Sequence, residues 1–215
     1  EKKISKFVGA KYSVAVNSAT SGLHISCLAL DIKKGDLVWT VPNTFVASAN
    51  AALYCGAKID FVDIDYLTGN IDVNLLEKKL KNSKKKPNVV IPVHFAGQPS
   101  DQERIFKLSK KYGFKVIEDA SHSLGAKRYN NKVGNCKFSD LTVFSFHPVK
   151  IITTGEGGAL TMKNKDLYDR VEILKNSGIT KQINKYKKKI KFRWYYEQVD
   201  IGLNFRLNDI CAILG

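Results

Sequence analysis

Apolar positions along this chain follow two periods that take turns. Residues 12–16 alternate as a strand does, and after Asn17-Ser-Ala-Thr-Ser-Gly22 the residues Leu23, Ile25, Leu28 and Leu30 fall at helical spacing. Residues 37–41 read as a strand closed by Pro42, and 45–54 as an Ala-rich helix stopped by Gly56. Residues 59–64 form the next strand, Asp72 caps a helix through Leu80, and 89–95 is a continuous apolar strand closed by Ala-Gly-Gln-Pro. Ser100-Asp-Gln-Glu103 has the form of a capping box for a helix through Tyr112, with Gly113 as its stop. Strands are expected at 115–118, 141–146 and 159–162, and Asn164 caps a helix through Lys175 that ends near Gly178. Strand alternating with helix over most of the length predicts one three-layered α/β domain with a mainly parallel central sheet and right-handed crossovers. A last helix after Asn208 is still amphipathic at Gly215, so a further segment is expected beyond it.

Composition narrows the class. Hydrophobic content of 44% and charged content of 26% over 215 residues fit a soluble globular protein with a sizeable core. No apolar run approaches the roughly 18 residues of a membrane helix, and Glu1-Lys-Lys-Ile-Ser-Lys6 lacks a secretory core, so a cytoplasmic location without membrane partners is expected. Cys27, Cys55, Cys136 and Cys211 show no metal-ligand spacing and are expected as reduced, mostly buried thiols. The net charge of +15 invites a nucleic-acid reading, yet the excess sits in two clusters. Lys78, Lys79, Lys81, Lys84, Lys85 and Lys86 form one; Lys181, Lys185, Lys187, Lys188, Lys189, Lys191 and Arg193 form the other. Such clusters are commonly solvated surface, and the second also suits a loop meeting an anionic small molecule.

Candidate chemistry lies at strand ends. The helix start at 17–22 could hold a phosphate through free N–H groups and the hydroxyls of Thr20 and Ser21, or simply be an N-cap. Phe45 follows a strand and could stack on a flat cofactor or belong to the core, and His24 reads as a packing residue. Asp119, in Asp-Ala-Ser-His122, either points into the crevice where open α/β sheets bind ligands or caps the following turn. In the stretch 142–160, Pro148 stops regular hydrogen bonding after Ser145-Phe-His147, and Gly155-Glu-Gly-Gly158 lets the backbone reverse. Lys150 stands between them, either as a surface charge or as a partly desolvated, nucleophilic amine.

Four stretches, Asn17-Ser-Ala-Thr-Ser-Gly22, Glu118-Asp-Ala-Ser-His-Ser-Leu-Gly-Ala126, Ser145-Phe-His-Pro-Val-Lys150 with Thr154-Gly-Glu-Gly-Gly158, and Gly202-Leu-Asn-Phe-Arg-Leu-Asn-Asp209, together resemble one family. It is the DegT/DnrJ/EryC1/StrS nucleotide-sugar aminotransferases, pyridoxal-phosphate enzymes of aspartate aminotransferase fold (fold type I). Within it, Ser-Phe-His-Pro-Val-Lys is most similar to members that aminate C4 of a UDP-linked 4-keto-6-deoxy-N-acetylhexosamine on the way to pseudaminic acid. The resemblance implies that residues 1–215 are most of the large, cofactor-binding domain, with the small C-terminal domain absent. It implies that Lys150 carries the cofactor and shuttles a proton, that Asp119 pairs with the pyridinium nitrogen, and that His122 lies near the phenolic oxygen. Ala19, Thr20 and Ser145 would hold the phosphate, Phe45 would stack on the ring, and Asn204, with Arg206 as a rival, would reach the cofactor of the other subunit in a homodimer. The implied reactants are an amino-acid donor, glutamate, and a nucleotide sugar, with no metal.

Four rivals remain on the same residues, one of them an aminotransferase acting on a different keto-sugar position or nucleotide. Sugar dehydratases of this fold carry histidine where Lys150 stands, which argues against them. A basic nucleic-acid module draws slight support from Tyr186, Phe192 and Trp194 among the lysines. A non-catalytic relative would have no need of the Lys150 and Asp119 pair.

Overall fold

The computed structural model describes residues 1–182, 184, 186, 190 and 192–215. Five members of the second basic cluster, Lys185, Lys187, Lys188, Lys189 and Lys191, lie outside the described residues. In chain order the elements are α1 (Lys2–Val8), β1 (Tyr12–Val16), α2 (Ala19–Ala29), β2 (Leu37–Thr40), α3 (Ala47–Tyr54), β3 (Lys58–Phe61), α4 (Val73–Asn82) and β4 (Val89–Val90). They continue with α5 (Gln102–Tyr112), β5 (Lys115–Asp119), β6 (Lys127–Arg128), β7 (Asn131–Lys132), β8 (Leu141–Ser145), β9 (Gly158–Met162), α6 (Lys165–Lys175), β10 (Ile179–Thr180), β11 (Glu197–Gln198) and α7 (Asp209–Leu214).

Seven strands form one sheet in the order β1-β9-β8-β5-β4-β2-β3. From β8 to β3 every pairing is parallel, while β9 runs antiparallel to both β8 and β1. Because successive strand residues face opposite sides, each strand feeds two cores. Val38, Val89, Ile117, Val143 and Leu160 pack under α2, α3 and α6, whereas Trp39, Val90 and Val116 pack under α4 and α5. Phe144 and Ala159 meet Val8 of α1 in a third cluster on that second side. The three-layered α/β architecture with a mainly parallel sheet follows directly.

Two local expectations are corrected. Residues 89–95 are not one strand: the ladder is regular only at Val89–Val90, since Pro92 offers no N–H, and 95–97 turn in a single 3-10 helix with Ala96 at φ 50°. The chain nonetheless stays beside β5, because Asp119 N–H donates to Pro92 O (2.9 Å) and His94 N–H to Asp119 O (3.0 Å). The cap of α5 is Asp101, which accepts from Arg104 N–H, and not Ser100. Ser100 turns inward instead, its hydroxyl donating to Val93 O (3.0 Å) and its N–H to His94 Nδ1 (3.0 Å).

Cys27 and Cys136 are buried, Cys55 and Cys211 half-buried, and all four are free thiols. In the first basic cluster Lys79 pairs with Asp60 (2.7 Å) and lies over the Trp39 ring, so that cluster is not wholly solvated. Among the described residues no helix is long and apolar enough to cross a membrane.

Candidate active site

The carboxyl ends of β1, β2, β5 and β8 open on one cavity of about 420 Å³, walled on its far side by the loop joining β8 to β9. This edge of a parallel sheet is where chain reversals leave a crevice, and the helix that follows each strand presents its N-terminus there. Ala19, Thr20, Phe45, Asp119, His122, Ser145 and Lys150, drawn from four separated stretches, all line it.

One end is an anion cradle. Ser18 caps α2, its hydroxyl accepting from Ser21 N–H (3.1 Å) and contacting the Ser21 hydroxyl (3.0 Å). Ser21 therefore faces its own cap, and the cavity is left with Ala19 and Thr20, whose N–H groups have no intrahelical acceptor. The cradle is tight because β9 abuts it: a Cβ on Gly158 would stand 2.7 Å from Ala19 N and 2.8 Å from Phe144 O. Only glycine permits that approach. Ser145, the last residue of β8, adds a hydroxyl-bearing side chain to the same cavity.

The other end carries charge. Asp119, only 4% exposed, closes β5; its Oδ1 accepts from the Ser121 hydroxyl (2.6 Å) and N–H (3.2 Å), and its Oδ2 from the Ser48 hydroxyl (2.6 Å). It thus both faces the crevice and holds the following turn. Ser48, Ser121 and Thr44 were not singled out in the sequence. Ser121 could have been found, since a Ser two residues after an Asp is an Asx-turn pattern, but Ser48 lies 71 positions away. Lys150 is half-buried on the β8–β9 loop. That loop is pinched at its base by Phe146 N–H to Gly157 O (2.9 Å) and Thr154 N–H to Phe146 O (3.0 Å), so the amine projects from a fixed turn. Burial and the nearby Lys150 charge lower the pKa of His122 against the opposing pull of Asp119, leaving the imidazole neutral at pH 7.

Behind Asp119, on the opposite face of β5, Glu118 is buried and accepts from Gln102 Nε2 (2.5 Å) and the Thr142 hydroxyl (2.7 Å), with His94 Nε2 at 3.8 Å. Burial alone would raise its pKa, but His94, Thr142 and Gln102 outweigh burial and hold it below the ordinary glutamate range. A carboxyl depressed in the folded state adds stability above its unfolded pKa and loses it as pH falls through the folded one. Denaturant titrations of Glu118→Gln should therefore show a shallower loss of stability below about pH 4.5 than wild type. An unchanged slope would refute this account of Glu118.

The remaining residues singled out lie at the rim of the cavity or outside it. Phe45 is at the cavity rim but 72% exposed. Asn204 is exposed and outside the cavity, bridged to Asn176, and Arg206 donates to the Asn176 side chain (2.7 Å). His24 packs against Tyr54 and Phe205, as expected.

The sequence model of the DegT/DnrJ/EryC1/StrS aminotransferases matches residues 1–215. The chain belongs to that family. Among family members, the UDP-4-amino-4,6-dideoxy-N-acetyl-beta-L-altrosamine transaminase of Campylobacter jejuni is 42% identical over 215 residues, which are all of this chain and 54% of that protein. Helicobacter pylori PseC, an aminotransferase involved in the biosynthesis of pseudoaminic acid, superposes with a TM-score of 0.87 at 34% identity, covering all of this chain and 54% of PseC. NtdA from Bacillus subtilis, solved with bound cofactor PMP, gives a TM-score of 0.84 at 29% identity, covering all of this chain and 45% of NtdA. The chain thus spans about half the length of the family members it matches.

Proposed function

We propose that residues 1–215 are most of the cofactor-binding large domain of a pyridoxal-phosphate-dependent nucleotide-sugar aminotransferase. The observation that carries this reading is the meeting of the first turn of α2, Asp119, His122, Ser145 and Lys150 on a single cavity. A flat ring with a phosphate, a basic ring nitrogen and an aldehyde asks for an anion cradle, a carboxylate and an amine, and all three are present. When bound, the cofactor supplies an electron sink for the pair left behind as a proton leaves the substrate carbon.

The chain's own residues do the rest. The N–H groups of Ala19 and Thr20 and the Ser145 hydroxyl hold the phosphate at the positive end of α2. Asp119 keeps a proton on the ring nitrogen, oriented by hydroxyls on both its oxygens. Lys150 anchors the group through Nζ and moves a proton at the reacting carbon. Neutral His122 offers a hydrogen bond at the phenolic oxygen, and Phe45 covers the ring.

The reactants we propose are glutamate as amino donor and a UDP-linked 4-keto-6-deoxy-N-acetylhexosamine as acceptor, a choice supported by the 42% identity to the Campylobacter transaminase. A homodimer is part of the proposal, with Asn204 of one protomer serving the site of the other. Phe45 and Val149, both exposed and both lining the cavity, suit that contact.

The test is a visible absorbance titration with pyridoxal phosphate followed by desalting and addition of glutamate. A retained visible band that glutamate bleaches is expected. A protein that retains no cofactor after desalting would overturn the reading.

A further inference from the structure

Proton counting around Asp119 fixes the direction of a hydroxyl chain. A serine hydroxyl has one proton to donate, and that of Ser48 goes to Asp119 Oδ2 at 2.6 Å. The Ser48 oxygen is also 2.8 Å from Thr44 Oγ1, a contact in which either hydroxyl could donate on distance alone. With the Ser48 proton already placed, Thr44 must be the donor. The order is therefore Thr44 to Ser48 to Asp119, and each donor polarises the next so that the last bond to the carboxylate is strengthened.

Location gives the chain a purpose. Ser48 is fully buried at the start of α3, and Thr44 lines the cavity beside Phe45. The two hydroxyls tie the turn that carries Phe45 to the end of β5. On the other side, Ser121 serves Oδ1, so the carboxylate is gripped at both oxygens and its rotation is restricted.

Resting on the function proposed above, we infer that Thr44 and Ser48 are positioning residues, a two-hydroxyl relay that sets the orientation of Asp119 toward the cofactor's ring nitrogen. Neither needs to touch substrate. Their effect reaches the chemistry only through the carboxylate.

The experiment compares wild type, Ser48→Ala, Thr44→Val and Thr44→Ser, measuring the dissociation constant for pyridoxal phosphate and the absorbance maximum of the bound cofactor. Ser48→Ala should weaken binding roughly tenfold, the scale of one hydrogen bond to a charged group. It should also shift the absorbance maximum, because the carboxylate facing the ring nitrogen has lost a donor that fixes its orientation. Thr44→Val keeps the side-chain shape and should shift both quantities the same way by less; Thr44→Ser keeps the hydroxyl and should match wild type. A merely structural role would not move the absorbance maximum. Wild-type affinity and spectrum in Ser48→Ala would overturn the role of Ser48, and an unchanged Thr44→Val would overturn the relay. Wild type that fails to bind the cofactor strikes the proposed function itself, a result seen before any variant is compared.

Discussion

Lys150→Ala is expected to abolish covalent capture of pyridoxal phosphate while leaving non-covalent binding in place. The separation follows from the layout of the cavity. In the proposed site, phosphate contacts would come from α2 and β8 and the ring-nitrogen contact from β5, so none would depend on the β8–β9 loop that carries the lysine. That loop is closed by Phe146, Thr154 and Gly157 backbone bonds, which an alanine at 150 does not disturb. Borohydride reduction of wild type with pyridoxal phosphate should add one cofactor per chain, and peptide mass mapping should place it on Lys150. The alanine variant should gain none. With 30 lysines in the sequence, the chain offers many alternative amines, so the mapping discriminates. A reduced adduct on another lysine, with Lys150 unmodified, would sink the assignment. Conversion by glutamate should fall by about 10²–10⁴ in the variant, the usual worth of a positioned acid–base group.

How much of this was legible in the sequence depended on whether a residue's partner was local. Ser18, Asp72, Asn164 and Asn208 cap helices with N–H groups two or three residues ahead, and such caps can be read from short strings. Asp119 stood out because it is a carboxylate at the carboxyl end of a strand, where open α/β sheets bind ligands. Ser100 and Asp101 are both good caps side by side, and the choice between them was made by Val93 O and His94, contacts that no local pattern contains. Helix α1 has seven residues, four of them lysine or serine apart from its apolar ones, and buries only Val8; the β6–β7 hairpin has two residues per strand. Neither is long enough to show a period. Ser48 was hidden for another reason: within Ala-Ser-Ala-Asn-Ala-Ala it reads as one more small helical residue, and its significance appears only when α3 is laid against β5. The Phe45 ring was recognisable as a rim residue, but its exposure of 72% is a property of the folded chain that no local pattern contains.

Asp119→Asn should produce a large loss of turnover without loss of fold. The amide has the size of the carboxylate, and its oxygen can still accept from Ser121 N–H. The Ser48 and Ser121 hydroxyls can rotate to suit an amide, since each has lone pairs as well as a proton. Packing and local hydrogen bonding are therefore largely preserved at a site only 4% exposed to water. What the amide cannot do is carry the negative charge that, in the proposed site, would keep a proton on the ring nitrogen. In a site shielded from solvent that charge is worth more than it would be in water. The expected result is a variant that still binds pyridoxal phosphate, more weakly, and reacts with glutamate slower by about 10²–10³, the range seen when one electrostatic contact to developing charge is removed. Stopped-flow absorbance of the single half-reaction reads that rate directly, without the acceptor sugar. Near-wild-type rates in Asp119→Asn would show that the ring nitrogen does not depend on this carboxylate, and the pairing of Asp119 with Ser48 and Ser121 would then be only an anchor for the turn after β5. A slowed half-reaction with an unchanged far-ultraviolet circular dichroism spectrum would instead tie the charge of Asp119 to the chemistry.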